Sequence, residues 1–129
     1  MENAAAVYAL SRHIDVDDRA FARSRRTVFN GYAFARHLYV KPIGNGSTLL
    51  VRRESALAVG GFEPSWAARG LGGCEDFDFE LKLAARYPMA AVPLYLVGYR
   101  HSPGNMSSDK LRMIRAMVEI GRASCRERV

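Results

Sequence analysis

The stretch from Glu75 to Tyr99, EDFDFELKLAARYPMAAVPLYLVGY, decides the fold. Its first half predicts a helix, because Phe77, Leu81 and Ala84 recur at helical spacing on one face. Acidic residues stand at the start of this helix, expected over 75–87, and a proline stops it. The second half has the composition of a β-strand, so the stretch as a whole indicates an α/β protein.

Further elements are predicted on both sides of this helix. The strand after it is expected over 90–99, with Pro93 indicating an edge or irregular position. Upstream, the β-forming run 47–51 predicts another strand, and 53–59 predicts a short helix stopped by two glycines. The segment 64–73, which contains glycines, a proline and the tryptophan, is expected to form an irregular loop.

The two ends of the chain carry weaker patterns. The apolar run 4–10 predicts a strand or the end of a helix, and the aspartate-rich segment 14–18 predicts a turn after it. The mixed segment 21–39 indicates no definite element. Near the C-terminus, Ser107 or Ser108 is expected to cap a last helix. The apolar positions of that helix recur at helical spacing and are Leu111, Ile114 and Val118.

Composition and length describe an ordinary globular domain. The chain has 129 residues, of which 49% are hydrophobic and 25% charged, enough for one domain with a core. No apolar run approaches the roughly 20 residues of a membrane-spanning helix. The N-terminus lacks the basic start and the apolar stretch of a secretory signal. A cytoplasmic location is therefore expected.

The last ten residues, IGRASCRERV, resemble a common sequencing adapter translated in one reading frame. We therefore expect a domain at 1–119, a non-native tail at 120–129, and a native protein that continues further. The tail holds three arginines and one glutamate, so the net charge without it falls from +6 to +4. With no recognised nucleic-acid motif, this charge predicts no nucleic-acid partner. Without Cys125, Cys74 stands alone and is expected to be a small buried residue rather than a nucleophile.

An acidic pair, Glu75-Asp76, opens the best-defined helix. The structural explanation is that acidic side chains stabilise the positive end of the helix dipole. The functional alternative is that Asp76 is a general base. A sugar hydroxyl is a poor nucleophile at neutral pH, and a carboxylate that takes its proton during attack lowers the barrier.

Seven short motifs follow one another in order along the chain. They are GSTLLVRRE at 46–54, VGGF at 59–62, EDFD at 75–78, LA at 83–84, VP at 92–93, LVGYR at 96–100 and PGNMS at 103–107. In this order they resemble the second half of glycosyltransferase family 2, the large inverting group with the GT-A fold. The resemblance covers about residues 44–109, with a weaker echo over 5–18.

This resemblance implies a fold, a reaction and two catalytic residues. The fold would be a partial GT-A-type mixed sheet flanked by helices, missing the N-terminal nucleotide-binding half. The intact enzyme would transfer a sugar from a nucleotide-diphosphate sugar to an acceptor hydroxyl, in bacterial polysaccharide or glycoconjugate synthesis. Asp76 would be the general base, and Glu75 would assist by orienting the acceptor or the helix start. The fragment alone would be inactive.

The resemblance also implies a divalent metal ion, Mn or Mg, in the intact enzyme. Such an ion stabilises the charge that develops on the leaving diphosphate. It needs a DXD motif after a buried strand, which the family carries in its first half. Asp15-Val16-Asp17 has this spacing, but Ser11-Arg12-His13 stands where an apolar strand is expected. We therefore expect this chain to lack the motif.

Three further residues are candidates for substrate binding. Arg100 suits phosphate oxygens, and His101 could contact diphosphate or metal, although the family places its histidine one residue later, where Ser102 stands. The alternative for both is a polar turn at a strand end. Trp66 could stack on a sugar ring or pack as an ordinary aromatic residue. The loop 44–47 resembles a phosphate cradle, but a tight turn is the simpler interpretation.

The expected partners follow from this reaction. They are a nucleotide-sugar donor and a glycan or lipid-linked acceptor, with no nucleic acid. The arginines at 23, 25 and 26 indicate either a solvated basic face or peripheral contact with anionic lipid at the inner face of the membrane. The alternative function is a non-catalytic carbohydrate- or lipid-phosphate-binding module.

Overall fold

The structure, a computed structural model, describes residues 3–127 and contains a mixed four-stranded sheet flanked by helices. The strands are β1 (Ala6–Ile14), β2 (Ala20–Arg23), β3 (Leu49–Val51) and β4 (Met89–Arg100). The helices are α1 (Phe34–Val40), α2 (Arg53–Ala58), α3 (Ser65–Ala68), α4 (Glu75–Arg86) and α5 (Lys110–Arg126). The chain is therefore an α/β protein, as the sequence predicted.

Strand β1 lies at the centre of the sheet. It pairs in parallel with β4 along one edge, from Ala6 opposite Met89 to Ile14 opposite Arg100. Its other edge pairs antiparallel with β3 at its start and with β2 at its end. This mixed pairing brings the C-terminal ends of β1 and β4 side by side, and the residues that follow both strands meet there.

The apolar run 4–10, expected to form a strand or the end of a helix, belongs to strand β1, which continues beyond that run through Ser11 and His13 to Ile14, directly before Asp15. Ser11 is only 2% exposed, but its polar groups have partners. Its N–H donates to Ser24 Oγ at 3.1 Å, and its Oγ accepts from Asn45 Nδ2 at 3.1 Å. A strand can carry buried polar residues where neighbouring segments satisfy their hydrogen bonds, and the apolar pattern alone does not show this.

Helix α4 lies between two hydrophobic clusters. On the side of the sheet, its Phe79 and Leu83 pack with Tyr8 and Ile43. On the opposite side, other residues of its body form a cluster with α3 and α5. The members of this second cluster are Trp66, Cys74, Phe77, Leu81, Ala116 and Ile120. The sequence predicted one apolar face, whereas the helix is buried on two. Phe77 and Leu81 belong to the second cluster, and Phe79 between them belongs to the first.

Helix α5 differs from its prediction in two respects. Asp109 is its N-cap, and the side chain of this residue accepts from the N–H of Arg112 at 3.0 Å. Ser107 and Ser108, the expected caps, lie in a short 3₁₀ turn before it. The predicted apolar stripe is also exposed, with Leu111 at 59%, whereas the small Ala116 faces the core at 0%. A regular apolar spacing identifies a helix, but it does not identify the stripe that packs.

Four smaller expectations from the sequence can be compared with the structure. The expected loop 64–73 contains the single helical turn α3. Cys74 is fully buried beside α5, and burial raises the pKa of its thiol. The expected boundary after residue 119 falls inside α5, where Ile120 is fully buried. Among the described helices, none combines the length and the apolar character that crossing a bilayer requires.

Candidate functional site

A cavity of about 990 Å³ lies at the C-terminal ends of β1 and β4. We call it the cleft. Its walls come from the ends of these two strands, the loop 44–47, the start of α4 and the segment that leads into α5. Its charged and imidazole lining residues are His13, Lys41, Asp76, Arg100, His101 and Lys110. Three predicted site residues, at 76, 100 and 101, therefore meet in one place.

Asp76 lies in the first turn of α4 and faces the cleft. Its Oδ1 accepts a hydrogen bond from the N–H of Phe77 at 2.8 Å, and its Oδ2 lies 3.6 Å from Lys41 Nζ. The loop opposite passes very close, since a Cβ at Gly46 would lie 3.3 Å from the Asp76 Cβ. The side chain is one quarter exposed, so a ligand in the cleft can reach its carboxylate.

Glu75, the other member of the acidic pair, is engaged with the loop before α4. Its Oε2 accepts a hydrogen bond from the N–H of Gly73 at 2.7 Å. Gly73 itself has a left-handed backbone with φ of +103°, which favours glycine. Of the two supporting roles considered for Glu75, this contact corresponds to orienting the start of the helix.

Arg100 lines the cleft and also fastens the turn between β1 and β2. Its guanidinium donates to the carbonyl oxygen of Asp15 at 2.8 Å and forms an ion pair with Asp18. The Asp15 carboxylate is used within the same turn, where Oδ1 accepts from the N–H groups of Asp17 and Arg19, each at 2.9 Å. The DXD-like triplet thus lies in the turn between β1 and β2, and Arg100 at the end of β4 binds this turn.

His101 is paired with a histidine that the sequence analysis missed. His13 Nδ1 lies 2.6 Å from His101 Nε2, and the rings of Phe21 and Tyr99 surround the pair. The register of β1 against β4 places His13 opposite Tyr99. Only this long-range pairing joins the two histidines, so no local motif marks His13. Within residues 3–127, no group of three or more His, Cys, Asp or Glu side chains is placed to hold a metal ion.

Lys41 is the second cleft residue that the sequence analysis missed. It follows α1 with a left-handed backbone, φ of +41°, and its N–H donates to the carbonyl oxygen of His37. Its ammonium group lies 5.5 Å from the centre of the Phe77 ring as well as beside Asp76. The segment 21–39 gave no readable element, so the end of α1 could not be placed.

Of three other predicted regions, Trp66 and the arginines are not part of the cleft lining, whereas the loop 44–47 is. Trp66 is 6% exposed and packs in the cluster between α4 and α5, with the Arg69 guanidinium 4.8 Å from its ring centre. This is the packing alternative considered for it. The arginines at 23, 25 and 26 are exposed. The loop 44–47 lines the cleft and leads into a 3₁₀ turn.

The charge of the cleft lining is predominantly positive. Lys41, Arg100 and Lys110 carry fixed positive charges, and Asp76 is the carboxylate among the lining residues. Such a site favours a ligand that bears negative charge and presents a group able to give a proton to the carboxylate. Neither a comparison with protein-family models nor one with curated protein sequences finds a match to this chain.

Proposed function

We propose that this chain is the acceptor-side half of an inverting glycosyltransferase with a GT-A-type fold. The observation that supports this most is the position of Asp76, a carboxylate at a helix N-terminus on the wall of a cleft that is otherwise cationic. The order of the seven sequence motifs and the mixed sheet are consistent with the same function. Fold class alone does not specify a reaction, so the proposal depends on the cleft.

In this proposal Asp76 takes the proton of an acceptor hydroxyl as that oxygen attacks the anomeric carbon of the donor sugar. The bond from the anomeric carbon to the diphosphate breaks, and the configuration inverts. Preorganised positive groups stabilise the charge that develops on the leaving diphosphate. Arg100 and His101 are the cleft residues assigned to this role, and they line the cleft together with Asp76.

The described residues do not by themselves fit the expected Mn or Mg ion. Such ions prefer oxygen ligands, whereas the closest group of potential ligands here is an imidazole pair. The Asp15 carboxylate, which belongs to the DXD-like triplet, is committed to its own turn. No step of the reaction is therefore assigned to a metal bound by this chain.

The decisive experiment replaces Asp76 by Asn in the intact protein. Loss of the general base should lower the turnover number by about 10²- to 10⁴-fold and leave donor binding nearly unchanged. Sugar transfer and donor affinity are measured separately. Glu54→Gln is the matched control, because Glu54 is an acidic residue in the first turn of a different helix, α2. Full turnover in Asp76→Asn would show that Asp76 is not the base.

The excess of cations in the cleft also favours a second function, a non-catalytic module that binds a carbohydrate or lipid phosphate. Lys110 and Lys41 would then hold the phosphate. A titration of the 129-residue chain with a phosphorylated sugar and its neutral counterpart tests this. The module should bind only the phosphorylated sugar, lose that binding in Lys110→Met and retain it in Asp76→Asn. A chain that binds neither sugar would exclude it.

A further inference from the structure

Two polar contacts join α1 to α4, one above the other. His37 Nε2 lies 2.8 Å from Glu80 Oε2, and Lys41 Nζ lies 3.6 Å from Asp76 Oδ2. His37 belongs to α1 and Lys41 is the residue that caps the C-terminus of this helix, four positions later, while Asp76 and Glu80 are four positions apart on α4. Residues at this spacing lie on the same face of a helix. The two contacts therefore form one row, with its inner end in the core and its outer end at the cleft.

The inner contact is fully buried and only partly satisfied. Both side chains are 0% exposed, and His37 Nδ1 and Glu80 Oε1 have no hydrogen-bond partner. Burial lowers the pKa of His37 to about 4 and raises the pKa of Glu80 well above its usual value. Buried polar pairs of this kind contribute little net stability compared with apolar side chains of similar size. Their best-supported role is to fix the register of one element against another.

The outer contact completes the environment of the Asp76 carboxylate. Oδ1 already accepts a bond from its own helix, and the ammonium of Lys41 faces Oδ2. Lys41 reaches this position from a left-handed backbone, a conformation that is costly for a residue other than glycine. A carboxylate with one partner near each oxygen is restricted in its rotation. It still has free lone pairs for a ligand.

We propose that Lys41 is a positioning residue for Asp76, and that the buried bond between His37 and Glu80 sets the place of Lys41. The ammonium group orients the carboxylate toward the cleft. The buried bond fixes the position of the end of α1 along α4, so that Lys41 contacts the first turn of α4. The benefit to catalysis rests on the proposed function, whereas the contact itself does not.

The charges that act on the buried pair belong to the outer contact. Lys41 lowers and Asp76 raises the pKa of Glu80, in addition to the larger effect of burial. On the same helix, Lys82 and Asp78 form a separate ion pair at 2.7 Å, four residues apart. This second pair is chemically the same as the outer contact but does not line the cleft, and it provides a matched control.

The test is an NMR measurement of the side-chain carboxyl carbons in the 129-residue chain at neutral pH. Lys41→Met should shift the Asp76 resonance, and Lys41→Arg should restore it in large part. Lys82→Met should shift Asp78 and leave Asp76 in place. Glu80→Leu leaves the Lys41 side chain itself unchanged. It should nevertheless shift the Asp76 resonance in the same direction as Lys41→Met. Glu80→Gln keeps a hydrogen-bonding side chain and should shift it less.

An Asp76 resonance that Lys41→Met leaves unchanged, or that Lys82→Met moves equally, would overturn the positioning role. If Glu80→Leu does not fold, the apolar double variant His37→Phe/Glu80→Leu replaces it, and an unchanged Asp76 resonance there would refute the part played by the buried bond. In the intact protein Lys41→Met should lower the turnover number by up to about 10²-fold. Transfer by Asp76→Asn would refute the proposed function and leave the NMR result standing.

Discussion

The two longest helices, α4 and α5, are held in place by different means. Helix α4 has no side-chain cap at Cys74, yet seven of its residues are buried, in contact with two clusters. Helix α5 is longer, carries its own cap at Asp109, and buries only three residues. The comparison shows that tertiary packing determines the position of α4, whereas local signals contribute more to α5.

This difference matters for function because the cleft is built on α4. The unpaired N–H groups at the start of a helix need partners. In α4 one of them binds the Asp76 carboxylate, and the N–H of Gly73 just before the helix binds Glu75. A helix that packing holds on two sides can therefore carry a carboxylate at its start without a separate capping residue, and Asp76 stays in a defined place.

The largest expected effect comes from the core of α4. Leu81→Ala removes a fully buried side chain from the cluster between α4 and α5. The free energy of unfolding should fall by about 2–5 kcal/mol. The control is Leu111→Ala on the exposed stripe of α5, which should change it by less than about 0.5 kcal/mol. Urea denaturation measures both, and equal losses would contradict the contrast between the helices.

A pH titration of stability examines the buried pair of α1 and α4. The pKa of His37 falls from 6.5 to about 4 through burial, so stability from this residue is present above pH 6.5 and is lost as the pH falls toward 4. Burial raises the pKa of Glu80 above 4.5, so stability from that residue is present below pH 4.5 and is lost as the pH rises. Between these two pH values the contributions oppose each other.

The pair should therefore contribute a nearly constant free energy of unfolding from about pH 4.5 to 6.5. As long as Glu80 stays protonated in the folded chain, its contribution should fall above pH 6.5 by at most about 1.4 kcal/mol per pH unit. The difference between the chain and His37→Phe/Glu80→Leu, followed by denaturation across pH, isolates this term. A difference that stays flat above pH 6.5 would show that Glu80 is ionised in the folded chain.

The smallest expected effect concerns the cap of α5. Asp109→Ala removes the side chain that accepts from the N–H of Arg112, so the free energy of unfolding should fall by about 0.5–2 kcal/mol. Asp109→Asn keeps an accepting oxygen and should recover most of the loss. The corresponding change at α4, Cys74→Ala, removes no cap. If Asp109→Ala left the free energy of unfolding unchanged, packing alone would determine the position of α5, as it does for α4.

The parts of the fold that the sequence predicted are those with strong local patterns. The helix expected over 75–87 and the strand expected over 90–99 match α4 and β4 closely. The segment 21–39 was unreadable because its elements depend on distant partners. Strand β2 has only exposed residues, and α1 buries a histidine that pairs with a residue 43 positions away.

The candidate site was predictable to a similar degree. Asp76, Arg100 and His101 could be identified from motifs, and all three line the cleft. His13 and Lys41 could not, because the register of β1 against β4 and the docking of α1 on α4 bring them there. Local sequence shows which residues can do chemistry, but their neighbours are set by contacts between segments far apart in the chain.

The two thiols of the chain differ in how easily a reagent in solution can reach them. Cys74 is enclosed, with its sulfur 3.8 Å from the sulfur of Met113 on α5, whereas Cys125 near the end of the same helix is exposed. A thiol-directed reagent would modify the outer cysteine at once and the inner one only when α5 lifts away. The delay between the two modifications would measure how often α5 separates from α4.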